Sequence, residues 1–258
     1  MDKTSSKHTI LSIYHYGRLV IRIIAFLFLL DHFILSRYIG LPDLLASSAV
    51  SNAAVIVIFI AFTIEMAFRF FPNPLECRGV QKQFKRNLIK TGNPPAVQGD
   101  HKGTMLVAIL FFGGNAVFGL LHIVGVFDDG IMVLLSSLYS IGDIVCILFF
   151  CPFQSWFLKN KCCSACRIYN WDFAMMFTPL FFVSKTYTWS LLVLSMLLLV
   201  RWEITFYRHP ERFSEHTNAY LKCSNCTEKL CAHKRQLRTL WKQIEEYSEK
   251  KLKQLEIK

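Results

Sequence analysis

Long apolar runs, separated by short polar and basic segments, set the layout of this chain. Six blocks lie near 19–39, 49–71, 104–127, 131–151, 170–184 and 187–207. They are apolar in solid blocks rather than along one amphipathic stripe, and four match the roughly 20 residues that a helix needs to cross a bilayer. The fifth is short and interrupted by Pro179, and the sixth carries Arg201 and Glu203 near its far end. The pattern predicts an all-α, polytopic membrane protein. A bundle of about six transmembrane helices fills 1–207, and a cytosolic cysteine-containing segment with an amphipathic tail helix fills 208–258.

Composition agrees with lipid as the solvent. Of 258 residues, 53% are hydrophobic and 18% charged, against about 25% charged in a usual soluble domain. The basic residues then orient the spans. With both termini in the cytosol, segments 1–22, 72–102, 152–172 and 208–258 hold 25 of the 29 lysines and arginines. The opposite side keeps Arg37, Lys185 and the acidic turn Asp128-Asp129-Gly130. Such a bias is what the positive-inside rule demands of six spans in a cell membrane, and it requires the short fifth span to keep the basic tail inside. It also accounts for the net charge of +11: the expected partner is the lipid bilayer, not nucleic acid. Arg18 and Arg22 precede the first block as in an uncleaved anchor, and the block is too long for a signal peptide.

Between spans, Pro72-Asn73-Pro74 stops the second helix. Segment 81–90, with Phe84, Leu88 and Ile89 on one stripe, reads as a short helix on the membrane surface. Gly113-Gly114-Asn115 reads as a close helix-packing patch. In the tail, Leu237, Trp241, Ile244 and Tyr247 form a stripe suited to a cytosolic protein partner, to a homodimer, or to the tail's own loops.

Two paired motifs carry the sharpest chemistry. Cys163-Ser164-Ala165-Cys166 and Cys223-Ser224-Asn225-Cys226 are separated by a hydrophobic stretch, long enough to leave one membrane face and return to it. Each Cys-x-x-Cys turn aims two sulfurs at one ion, and two such turns complete a tetrahedral thiolate site. Cysteines in the reducing cytosol favour metal over disulfides. Cys162 and Cys231 are alternate ligands. Zinc is the favoured occupant, as a clamp between loop 152–172 and the tail; an iron–sulfur cluster is the alternative.

Asp31, His32, Glu65, His122 and Asp143 are ionisable groups inside apolar blocks, where they are costly and so mark function or helix locking. Asp31, His32 and Asp143 are the strongest of these candidates, because they fall away from the cytosolic ends. No nucleophile elbow, Walker loop, zinc-protease motif or dinucleotide fingerprint occurs. Oxidoreductase is the only enzymatic class with support. The expectation is a scaffold or interaction protein. The alternatives are an iron–sulfur protein acting on a quinone and a small metal-ion or proton permease.

Overall fold

The computed structural model describes residues 10–39, 49–72, 78–94, 101–158 and 166–225. Seven α-helices occur among them: α1 (Ile10–Ile39), α2 (Ala49–Phe70), α3 (Arg78–Gln81), α4 (His101–Ile123), α5 (Asp129–Leu148), α6 (Asp172–Phe177) and α7 (Thr186–Arg208). No strand is present among the described residues beyond one isolated bridge, Lys90 to Asn218. Among the described residues, four helices are long and apolar enough to span a membrane: α1 over Ile13–Tyr38, α4 over Lys102–Ile123, α5 over Asp129–Leu148 and α7 over Thr186–Arg208.

The burial pattern of α1 is inverted relative to a water-soluble helix. Its buried positions, His15, Arg22 and Leu29, recur every seven residues and include two polar groups. Ile13, Val20, Leu27 and Ile34 recur at the same interval and are exposed. Polar side chains turned inward and aliphatic ones turned outward fit a hydrocarbon solvent, where only the protein interior offers hydrogen bonds. On α5, Ser136 and Ser140 lie on the buried face with Met132, Ile144, Ile147 and Leu148. Small hydroxyl residues there allow close helix approach, and Ser136 Oγ donates to the Met176 carbonyl at 2.8 Å.

Contacts fix how the helices run. Arg37 near the end of α1 pairs with Asp128, whereas Tyr16 near its start packs edge-on against Phe149, so α1 and α5 are antiparallel. The α4–α5 turn has Gly125 at φ +83°, a conformation open to glycine at little cost. Asp128 then caps α5, accepting from Ile131 N at 2.9 Å. One end of the bundle therefore carries this turn. At the other end sits a cap made from segments 78–94 and 209–225.

The fifth apolar block is neither a loop nor an ordinary helix. It begins as a 3-10 helix (Arg167–Trp171), continues as α6 and returns to 3-10 (Thr178–Phe182). Pro179 lacks the N–H that would continue α6, which explains the tightening after Phe177. At its cap end Asp172 meets Arg69 of α2. At its other end Phe182 fills the space beside Gly119 of α4 so closely that a Cβ there would lie 1.9 Å from the ring. Phe173, Ala174, Met176, Phe177 and Leu180 are buried throughout, which makes Met175-Met176 packing residues.

Two expectations change. Segment 81–90 is not one surface helix: α3 stops at Gln81 and a 3-10 turn follows at Lys85–Asn87. Phe84 points inward, 6% exposed, edge-on to Trp202 at 5.3 Å, because burying that ring outweighs a short helix's marginal hydrogen bonding. The Gly113-Gly114 patch is open: a Cβ added at either glycine would meet no atom within 4 Å, so the patch packs against no helix among the described residues.

Candidate functional site

Three residues of α1, His15, Arg18 and Arg22, share one face because they are spaced by three and four positions. That face meets α2 and α5. Arg18 binds Glu65 with both arms, Nε to Oε1 at 3.0 Å and Nη2 to Oε2 at 2.6 Å. Arg22 binds the same carboxylate through Nη2 at 2.6 Å. Its Nη1 donates to Asp143 Oδ2 at 3.2 Å and to the Ser140 carbonyl at 2.5 Å. Arg22 is thus the central member, 5% exposed and clamped between carboxylates of α2 and α5. The Phe62 ring covers its guanidinium, 5.4 Å from the centroid. His15 is fully buried beside Tyr14, and neither ring nitrogen has a hydrogen-bond partner among the described residues.

A second pair lies nearer the cap. Arg69 donates to Asp172 at 2.7 Å, with the Tyr169 and Phe173 rings each 5.4 Å away. Arg18, Arg22 and Arg69 therefore balance Glu65, Asp143 and Asp172. Such matching matters in a low-dielectric setting, where a lone charge is far costlier than a paired one. At the outer rim of the cap, Arg167 binds Glu203 at 2.5 Å and Tyr207 at 3.0 Å, and Trp171 Nε1 donates to Glu203 at 2.7 Å.

Two cavities flank the Arg22–Asp143 pair. One of about 160 Å³ has Arg22 and Glu65 in its wall and extends between α1, α2, α5 and α7 to Tyr187 and Thr188. The other, about 560 Å³, has Asp143 in its wall and lies between α4, α5, a π-helical turn (Phe153–Phe157) and the start of α6.

The residues expected from the sequence distribute unevenly. Glu65 and Asp143 come together through Arg22. Asp31 and His32 do not join them: Asp31 lies nine positions beyond Arg22 on α1, about 13 Å along a helix axis. Asp31 is exposed and His32 half-buried. His122 sits at the α4–α5 turn, 3.0 Å from the Phe127 carbonyl and 3.4 Å from Asp129. Cys166 is buried, packed with Val107, Leu158, Ile168 and Met175. The backbone of Cys223 opens a 3-10 turn, Cys223–Asn225. Cys162, Cys163, Cys226, Cys231 and the tail stripe lie outside the described residues. Among the described residues no three histidine, cysteine or acidic side chains form a metal-holding group.

Sequence reasoning missed Arg18, Arg22, Arg69 and Asp172 as network members, and His15 as a buried neighbour. For the α1 residues a signal was present in the three-and-four spacing of His15, Arg18 and Arg22, which places polar groups on one face of the first half of the helix.

Compared with models of protein families, with curated proteins and with solved structures, the chain matches none.

Proposed function

We propose that the chain is a six-crossing membrane protein, both termini in the cytosol, that serves as a scaffold for a cytosolic partner. The observation that carries this reading is an interlock at the cap. Asn170, four residues after Cys166, donates to Gln83 at 2.7 Å. Asn218, five residues before Cys223, donates to the Lys82 carbonyl at 3.0 Å. Segment 78–94 thus ties together the two segments that bear the Cys-x-x-Cys motifs. Gln83 and Asn218 are fully buried, so each hydrogen bond there is costly to lose. Further bonds, Thr91 N to Thr217 O at 3.1 Å and Ala219 N to Ile89 O at 2.8 Å, extend the seam.

The six-crossing topology draws on the lysine and arginine bias, on α2 at 22 residues and on the composite segment. Ten residues at about 2.0 Å and six at about 1.5 Å give roughly 29 Å, close to a hydrocarbon core of about 30 Å. Matched charges on Arg18, Arg22, Glu65 and Asp143 favour a locked frame over a path for ions. In this reading Cys163, Cys166, Cys223 and Cys226, with Cys162 and Cys231 as alternates, hold a structural zinc. The metal clamps loop 152–172 to the tail, and the tail helix meets the partner or a second copy.

Anaerobic purification in detergent, with elemental analysis and a visible spectrum on one sample, tests it. The expected result is about one zinc per chain without colour. Replacing Cys223 and Cys226 by serine should then release the zinc and expose the tail to protease while the bundle stays monodisperse. Iron with sulfide and a brown absorbance replaces this reading with electron transfer. Metal-free protein with a protease-resistant tail removes the clamp.

A further inference from the structure

The cavity of about 560 Å³ lies within the usual range of small-ligand pockets, about 300–1,000 Å³. Its walls are nearly all apolar, and beside the branched aliphatics Leu138, Ile141, Val145, Ile147 and Ile168 they carry aromatic and sulfur-bearing side chains. Phe111 stands at the centre of an aromatic group, 5.1 Å from Tyr139 and 6.3 Å from Phe153 between ring centroids. Met175, Met176 and Cys146 supply sulfur to the same surface. Aromatic edges and thioethers favour another ring over a methylene chain. Polar groups are few: Gln154, the hydroxyls of Tyr139 and Tyr169, and the carboxylates of Asp143 and Asp172.

Those carboxylates argue against a cationic ligand, since Arg22 and Arg69 already neutralise them. What remains is an apolar chamber with an amide and two tyrosine hydroxyls, groups of the kind that donate to a neutral carbonyl. The rim is the π-helical turn, closed by Leu158 N to Phe153 O at 3.0 Å. Such turns recur at functional sites because they widen the helix and turn side chains aside. Phe150 and Trp156 pack edge-on there at 5.7 Å, and Trp156 is 66% exposed, as aromatic residues at a bilayer interface are.

We propose that this cavity binds a membrane-soluble compound with one flat, neutral, carbonyl-bearing ring, of the quinone type. The ring lies against Phe111, Tyr139 and Met176, and its carbonyl accepts from Gln154 or Tyr139. The site does not depend on the scaffold reading or on any metal, and binding involves no electron transfer.

Gly142 gives a clean test. It lines the cavity, and a Cβ added there meets no atom within 4 Å. Gly142→Phe should fill the chamber, and replacing a helical glycine should not weaken α5. The full chain, purified in detergent, is titrated with a fully substituted benzoquinone bearing a ten-carbon tail, and bound probe is counted by native mass spectrometry. A cyclohexane with the same tail serves as the control. The expected result is one quinone per chain, little binding of the cyclohexane, and a loss of roughly tenfold or more in affinity in Gly142→Phe. Gly142→Ala should retain binding. Leu138→Trp, at an exposed position of the same wall, serves in place of Gly142→Phe should that variant fail to fold. No binding to the unaltered chain, equal binding of the cyclohexane, or undiminished binding in the filled variant overturns the proposal.

Discussion

The two halves of α1 carry charge in opposite ways. Toward the cap, Arg22 is sealed between Glu65 and Asp143, with side-chain exposures of 6%, 19% and 13%. Toward the turn, Arg37 meets Asp128 with exposures of 63% and 42%. Both are arginine–carboxylate pairs, yet only the first joins three helices. A pair open to solvent gains little, because water or lipid headgroups replace either partner readily. A buried pair is chiefly an obligation: removing one member strands the other.

The largest effect should follow Arg22→Met, which leaves Asp143 without its cation and Glu65 with Arg18 alone. A loss of about 3–5 kcal/mol is expected, read as a fall in thermal midpoint in detergent. Arg22→Met combined with Asp143→Leu should recover most of that loss, since Arg18 and Glu65 remain paired. A double variant as unstable as the single one would show that packing, not charge balance, holds α1 to α5.

Asp143→Asn comes next, at about 1.5–3 kcal/mol for a hydrogen bond to a charged group. Arg22 keeps Glu65 and the Ser140 carbonyl, so the same melting assay should show a shift below that of Arg22→Met. Arg37→Ala should cost no more than about 1 kcal/mol, and any shift should shrink as salt is raised. Asp31→Asn should change the midpoint least, by about 0.5 kcal/mol or less. A large loss with Arg37→Ala would erase the contrast between the two halves.

Most of the helical layout was legible because apolar block length is local. The block at 187–207 became α7 at Thr186–Arg208, and that at 131–151 became α5 at Asp129–Leu148. The first block failed instructively. Reading Arg18 and Arg22 as boundary charges started it near 19, whereas α1 begins at Ile10. Their partners lie 47, 43 and 121 residues away, and no pattern within one helix reveals such pairing. Glu65 and Asp143 were legible as misplaced charges, but their shared cation was not. The composite form of 167–182 was hidden for another reason: Pro179 signals an interruption without saying that 3-10 turns on either side would continue the segment.

The spacing of these partners also bears on how the chain is made. Arg22 emerges from the ribosome long before Asp143, which follows 121 residues later. At roughly 5–20 residues per second the interval is on the order of ten seconds. During it, Glu65 of α2 is the carboxylate that Arg18 and Arg22 can share among the described ion pairs. The first two helices therefore have reason to enter the bilayer as a paired hairpin, and α5 completes the charge balance as a late arrival.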